Sequence, residues 1–288
     1  MEAVSFLPWG SCFDLYAMTK TRIITSMPMR TKFVVLAMLA TVLANAQLSD
    51  LAKIDYTRLP IGNSDFGYDR IWGLFNYPIK VKEGSYFLVG LDYSKIELTF
   101  TDQINSFDIT AIEDFQLLDI NLGYTFEMQN NWRFGARFTP GYSSNLVKEL
   151  SFEDVVFSAD VVFIKDRTKD PIVAKPQRLI LGVSYSENRG FPFPLPFISY
   201  YKKFHSKWSY NLGVPKSNLQ YHISNASRLK VIAELDGFTA NIQGGLLVNN
   251  DQIADRINMA ILVGGLRYEY KFTKNVELYL NMANIFTS

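Results

Sequence analysis

The amino-acid sequence predicts an all-β protein: a closed antiparallel transmembrane β-barrel of about twelve strands, within a range of ten to fourteen. Three observations predict it. Large apolar and polar side chains alternate along most of the chain, short polar turns separate the alternating segments, and aromatic residues are abundant, with 4 Trp, 16 Tyr and 22 Phe among 288 residues. No apolar run approaches the ~20 residues that a membrane helix needs, so a helical membrane protein is excluded.

The alternation is clearest between residues 118 and 138. In residues 118–126 every even-numbered side chain is large and apolar, and every odd-numbered residue is polar or glycine. Residues 132–138 repeat the pattern, and the polar residues 127–131 lie between the two segments. This order predicts two strands joined by a tight turn.

The same alternation recurs along the chain, and we count about twelve strands between Tyr86 and Met282. Further alternating segments are residues 155–163, 179–186, 208–214, 218–223, 229–234, 262–272 and 276–282. The apolar face is heavily aromatic near the strand ends, and the opposite face carries charges, Asn, Ser and Gly. An apolar outside with aromatic girdles and a polar inside is typical of outer-membrane barrels, which must close because lipid offers no partner for an open sheet edge.

The N-terminal region predicts export. Residues 29–32 are basic, residues 33–43 are an 11-residue apolar core, and the small residues Ala44 and Ala46 precede Gln47. These are the three parts of a secretory signal peptide, so residues 29–46 are interpreted as a signal cleaved between Ala46 and Gln47, with the outer membrane as the destination. Residues 1–28 are interpreted as an extension produced by an upstream start. Residues 47–77 are expected to be a periplasmic or plug segment, and residues 78–288 to be the barrel.

Composition excludes other classes of partner. The chain has 29 basic and 28 acidic residues without a basic run, so nucleic acid is not an expected partner. Its single cysteine, Cys12, lies before the expected cleavage site, so the mature chain needs no disulfide. The expected partners are outer-membrane lipid and the barrel-assembly machinery. Phe286 is a candidate for the terminal aromatic residue that this machinery reads, unless the chain lacks a last hairpin.

Three stretches resemble a family of outer-membrane barrels of unknown function found in Gram-negative bacteria. They are residues 193–201, 208–217 and 229–242, and the most specific motif is the Gly-x-Pro-Lys-Ser turn at residues 213–217. The resemblance covers residues 77–282. It implies the barrel fold but no activity, because the family has none established, and therefore no functional residue is carried over.

The residues offer little catalytic chemistry, and we expect no enzyme, no cofactor and no metal. The chain has two histidines: His205 lies in a turn, and His222 shares a polar strand face with Asn218 and Gln220. Neither amide can attack a substrate. Histidine, cysteine and carboxylate residues do not cluster at metal-ligand spacings.

The polar face is the remaining candidate site. Its members are expected to point into the lumen; they are Asp119, Asn121, Arg133, Arg137, Asp160, His222, Glu234, Arg267, Glu269 and Lys271. Either they neutralise one another in a filled structural barrel, or they line a small-solute pore as a selectivity ring. Two alternatives stay open. An outer-membrane hydrolase would need a reactive serine or aspartate near His222, and a soluble periplasmic ligand-binding barrel would have its aromatic face inside.

Overall fold

The computed structural model describes residues 3–4, 51–61, 66–100, 109–170, 174–191, 193–248, 252–273 and 275–287. These residues form fourteen β-strands and two 3₁₀ turns. The strands are β1 (Ala3–Val4), β2 (Ala52–Leu59), β3 (Phe66–Lys82), β4 (Ser85–Phe100), β5 (Asp114–Glu127), β6 (Trp132–Ser144), β7 (Val155–Asp166), β8 (Gln177–Ser186), β9 (Leu195–Lys202), β10 (Trp208–Val214), β11 (Lys216–His222), β12 (Ser227–Val248), β13 (Gln252–Lys271) and β14 (Glu277–Thr287). The 3₁₀ turns are Ile109–Ile112 and Phe152–Asp154.

All fourteen strands belong to one sheet with simple topology. From β2 to β14, each strand pairs antiparallel with the next one along the chain, and β1 pairs with β14. One additional parallel pair, Ser144 with Asn241, joins β6 to β12. This pair closes the strands from β6 to β12 into a seven-stranded barrel, and β2–β5, β13 and β14 are the six strands outside that ring. The predicted all-β barrel fold is confirmed.

The sequence-based boundaries of the barrel need one correction. Residues 47–77 were expected to lie outside the wall, yet they contain all of β2 and most of β3. Between Ser85 and Thr287 there are eleven strands, against about twelve predicted in a range of ten to fourteen. Strands β12 and β13 have 22 and 20 residues and extend beyond the alternating segments that predicted them. The expected signal peptide, residues 29–46, lies outside the described residues.

The turn predicted after Glu127 is confirmed. Strand β5 ends at Glu127 and β6 begins at Trp132. Asn130 and Asn131 both have a left-handed backbone, with φ of 59° and 62°. Two consecutive left-handed residues match the twist of a tight antiparallel hairpin, and asparagine tolerates that conformation better than most residues.

Large apolar side chains cover the outside of the strands. Those exposed to solvent on alternate positions include Leu118, Ile120, Tyr124, Phe138, Leu181, Val183, Leu212, Leu219, Leu229, Val231, Leu262, Leu266, Leu278, Leu280 and Met282. Among the described residues, no helix is long and apolar enough to cross a membrane.

The second half of β12 leaves β11 but stays paired with β13, and it is buried against distant strands. Strand β11 pairs with β12 only as far as Glu234, and residues 237–243 are all buried. Gly237 marks the change of direction: its φ is 149°, and a Cβ there would lie 2.2 Å from the Met259 carbonyl oxygen. Only glycine fits that approach and that backbone angle. We call residues 237–246 the inward segment.

The main apolar core lies under the inward segment. Phe238 is fully buried, with its ring 5.6 Å from that of Phe115 on β5 and 6.3 Å from that of Tyr68 on β3. Some of the other buried members lie near the β2–β3 and β4–β5 connections, and the rest lie in β12 and β13; they are Leu59, Ile96, Leu98, Ile112, Leu117, Ala240, Ile242, Leu246 and Ile261. Side chains from β2–β5 and from β12 and β13 therefore meet in one apolar cluster.

Candidate functional site

The polar lumen beneath the apolar cluster is the candidate site. It contains two cavities, of about 190 Å³ and about 90 Å³. Arg70, Trp72 and Asp236 line both of them. Successive residues of a strand face opposite sides of the sheet. These side chains therefore point inward, because their apolar neighbours along the strand face outward.

Arg70 and Asp236 form an ion pair between strands that are not neighbours. The Arg70 Nη1 atom lies 3.3 Å from Asp236 Oδ1 and joins β3 to β12. Arg70 Nε also donates to Ser94 Oγ at 2.7 Å. Sequence reasoning missed this pair because Arg70 lies in the segment that was expected to precede the barrel. Asp236 could have been found, since it follows Glu234 by two residues on the same face.

A second ion pair joins neighbouring strands β6 and β7. Arg137 Nε donates to Asp160 Oδ2 at 2.8 Å, and Arg137 Nη2 approaches the same oxygen. The hydroxyl of Ser184 on β8 donates to the other carboxylate oxygen of Asp160. Two of the predicted lumen residues, Arg137 and Asp160, therefore satisfy one another.

Further along the lumen, Arg267 and Glu234 join β13 to β12. Their closest nitrogen and oxygen are 3.1 Å apart, and Arg267 Nε donates to Asn281 Oδ1 at 2.7 Å. The Lys216 ammonium lies 3.6 Å from Glu234. This group links four strands, from β11 to β14, through side chains on one face.

Glu269 is the most buried of the predicted charged residues. Its carboxylate contacts Arg228 at 2.8 Å and Lys230 at 2.6 Å, both on β12. Arg228 also pairs with Glu277, which lies 4.0 Å from Lys271. A buried carboxylate with two cationic partners is compensated rather than poised for reaction.

Asp119 and Asn121 lie on β5 and form two separate contacts. Asn188 donates to Asp119 Oδ2 at 2.7 Å, and Thr139 Oγ1 donates to Asn121 Oδ1 at 3.3 Å. Asp92 on β4 is directly opposite Asp119 and accepts a hydrogen bond from the Trp72 indole. The remaining predicted residue, Arg133, lies apart from these groups, at the β5–β6 turn.

His222 has a partner that the sequence did not reveal. Ser209 Oγ lies 3.0 Å from His222 Nε2, and Gln220 Nε2 lies 3.0 Å from the same nitrogen. Ser209 reaches the imidazole because β10 and β11 pair with Ser209 opposite Gln220. The Ser209 side chain has no exposed surface, and no carboxylate is among the contacts described for His222.

Taken together, the lumen side chains form local networks of opposite charges. Arg70, Arg137 and Arg267 each pair with a carboxylate on another strand. In the part of the chain that the structure describes, no group of three His, Cys, Asp or Glu residues could hold a metal ion. Such an arrangement can cross-link strands and hold water.

Comparison with known proteins gives one family. Residues 82–286 match a family described as a domain of unknown function (DUF6268). No curated protein and no solved structure matches the chain.

Proposed function

The chain belongs to the DUF6268 family of unknown function, and we propose that it is an outer-membrane β-barrel with a filled lumen, serving as a structural membrane component rather than an open solute pore. The single observation that carries the proposal is the division of each strand into an exposed apolar face and a charged inner face. The proposal includes export through a cleaved signal, contact with outer-membrane lipid and insertion by the barrel-assembly machinery.

The outer face supports a lipid environment. Ile120 is 45% exposed, Val183 is 53% exposed and Leu280 is 45% exposed, each on a different part of the wall. Full burial of an aliphatic side chain contributes about 1.5–3 kcal/mol of transfer free energy, and a side chain left in water does not gain it. Soluble monomers rarely expose contiguous apolar patches beyond a few hundred Å². Contact with lipid would remove these apolar side chains from water, and the charged side chains on the inner face would stay away from the lipid.

The contents of the lumen support a closed barrel. A passive pore needs a continuous polar path from one end to the other. Here buried apolar side chains meet around Phe238, and the Arg70–Asp236 pair joins β3 to β12. We expect both groups to obstruct such a path. The two cavities between these side chains are small, at about 90 and 190 Å³.

Two measurements test the proposal, one on cells and one on the purified protein. Fractionation of cells that express the chain should place it in the outer membrane, with an N-terminus at or near Gln47 by mass spectrometry. In planar bilayers the protein should insert without stable single-channel steps. Recovery in a soluble fraction would overturn the membrane location, whereas regular conductance steps would replace the filled barrel by a pore.

The Ser209–His222 contact supports one further candidate, an outer-membrane hydrolase. A serine within hydrogen-bond distance of a histidine is part of the arrangement that activates a nucleophile. The burial of Ser209 argues against it, since a substrate carbonyl has no access to the hydroxyl. Hydrolysis assays on Ser209 and His222 variants distinguish a hydrolase from a structural barrel.

A further inference from the structure

One end of the wall carries an excess of positive charge. The β7–β8 and β9–β10 connections, residues 167–176 and 203–207, lie at the same end because neighbouring strands are antiparallel. Together they contain five Lys or Arg residues and one Asp. At the other end of these strands, the connections at residues 145–154 and 187–194 contain two basic and four acidic residues. The first end is therefore suited to an anionic partner.

Most of this positive charge is not neutralised within the protein. Arg167 forms an ion pair with Asp170 at 3.0 Å. By contrast, four lysines at this end have no carboxylate of the described residues within 4.0 Å; they are Lys165, Lys202, Lys203 and Lys207. Lys165 ends the outer face of β7, Lys202 ends β9, and the other two lie in the β9–β10 connection. We call these four residues the basic rim.

Two lysines of the basic rim continue the apolar outer face of their strands. On β7, Val161 and Phe163 are exposed, and Lys165 follows two residues later. On β9, Ile198 is exposed, and Lys202 follows four residues later. Side chains two residues apart share one face of a strand, so each ammonium group lies where the apolar face ends. Strands β7 and β9 are separated by β8, which sets them about 9–10 Å apart.

Aromatic rings flank these two lysines. The Lys165 ammonium lies 5.3 Å from the centre of the Trp132 ring on β6. Tyr210 on β10 is directly opposite Lys202, and Trp208 on the same strand is 38% exposed. Indole and phenol rings favour the boundary between hydrocarbon and headgroups, because they combine an apolar ring with a polar group. An apolar surface that ends in such rings and in ammonium groups matches an amphiphile with an anionic head.

We propose that the basic rim and its flanking rings bind the phosphate-bearing headgroup of an anionic phospholipid. The phosphate contacts the Lys165 and Lys202 ammonium groups, and the acyl chains lie along the apolar outer faces of β7 and β9. An acidic protein matches this surface less well, because the cations continue directly into exposed aliphatic and aromatic side chains. The inference rests on the proposed membrane location.

The short turns of the barrel indicate which leaflet supplies the lipid. Residues 128–131 and 223–226 connect strands at the same end as the basic rim. Outer-membrane barrels place their short turns in the periplasm. The bound lipid therefore belongs to the periplasmic leaflet. Vesicles that contain the same lipid in both leaflets offer it to the rim in either orientation of the protein.

Quenching of tryptophan fluorescence by brominated lipid measures the binding, because Trp132 and Trp208 lie at the site. The purified protein is reconstituted in phosphatidylcholine vesicles in which one lipid in five is phosphatidylglycerol. Bromine is carried on the acyl chains of either the phosphatidylglycerol or an equal amount of the phosphatidylcholine. One lysine near an anionic membrane strengthens binding roughly five-fold. We expect phosphatidylglycerol to have at least that advantage in apparent affinity.

Paired lysine variants locate the binding. Lys165→Gln combined with Lys202→Gln should abolish the preference for phosphatidylglycerol. The matched control, Lys80→Gln combined with Lys82→Gln, removes two charges from the same end of the barrel on β3 and should keep the preference. Quenching by brominated phosphatidylcholine in every variant verifies insertion. An equal loss of preference in both paired variants, or no loss in the first, overturns the site.

The parent protein separates failure of the lipid site from failure of the membrane location. Strong but equal quenching by the two brominated lipids keeps the protein in the membrane and overturns the lipid site in favour of an acidic protein partner. No quenching by either lipid overturns the membrane location and the lipid site together. A preference that persists after Trp132→Phe and Trp208→Phe are combined would come from lipid near another indole, and it too overturns the site.

Discussion

The carboxylate of Asp154 and the amide of Asn241 are joined by a 2.7 Å hydrogen bond across 87 residues of sequence. Gln243 Nε2 donates to the second carboxylate oxygen at 2.6 Å, and the Ser151 backbone amide donates to it at 2.8 Å. The Asp154 side chain is fully buried. This group fastens the inward segment to the β6–β7 connection, and we call it the polar latch.

Replacement of Asp154 by Ala should weaken the latch. Two buried amides lose a charged acceptor, and hydrogen bonds to charged groups contribute about 1.5–3 kcal/mol to stability. Urea unfolding in detergent should give a lower free energy of unfolding by about that amount. Glu153→Ala changes an exposed neighbour and is the control. A similar loss in both variants would mean that the buried hydrogen bonds are not the cause.

The latch should also depend on pH. Burial alone raises the pKa of Asp154, but the hydrogen bonds from Asn241, the Ser151 amide, Ser144 and Gln243 outweigh it and hold that pKa below its usual value. The stabilisation is thus complete above the unfolded pKa of about 3.9 and is lost as the pH falls through the lower folded value. Unfolding midpoints measured from pH 6 to pH 3 should fall more steeply for the parent than for Asp154→Asn. Parallel profiles would refute this assignment.

Phe238→Ala should open a void under the inward segment. Truncation of a buried phenylalanine typically costs about 3–5 kcal/mol of stability. Phe272→Ala removes an equally large ring that is 61% exposed, and it should cost far less. Guanidinium unfolding of the two variants makes the comparison. If Phe238→Ala also produces conductance steps absent from the parent, then the apolar cluster is what closes the lumen.

Adjacent residues on β8 test which face meets lipid. Val183→Arg places a charge on the outer face, at a cost of roughly 2–4 kcal/mol near the middle of a membrane barrel. Ser184→Arg places it beside the larger cavity and within the surroundings of Asp160. The first variant should fail to assemble in the outer membrane, and the second should assemble. Equal amounts of folded protein in the membrane would contradict the orientation.

Neither His222→Gln nor Ser209→Ala should remove any hydrolytic activity. The Ser209 hydroxyl is buried, so it has no route to an acyl or peptide carbonyl. Acyl-ester and peptide substrates added to the parent and to both variants in detergent provide the test. Activity in the parent that both substitutions abolish, with the fold intact, would favour the hydrolase instead.

The sequence by itself determined the strand class and the two faces of the wall. Alternation is local, so residues 118–126 reveal an apolar and a polar face without any knowledge of their neighbours. The β5–β6 turn was predictable for the same reason, because Asn130 and Asn131 act within four residues. The charge of the lumen followed from the same pattern. The alternation alone predicts that Arg137 and Asp160 face inward, although it does not show that they pair.

Only the tertiary structure decided which inward residues meet and how the lumen is filled. Arg70 contacts Asp236 across 166 residues, and Ser209 reaches His222 only through the register of β10 with β11. No local period encodes such contacts, because register depends on the neighbouring strand. The inward course of β12 after Gly237 also departs from the alternating pattern, since residues 237–243 are buried on both faces. Burial on both faces requires material from distant strands on each side, and that arrangement exists only when the whole sheet has folded.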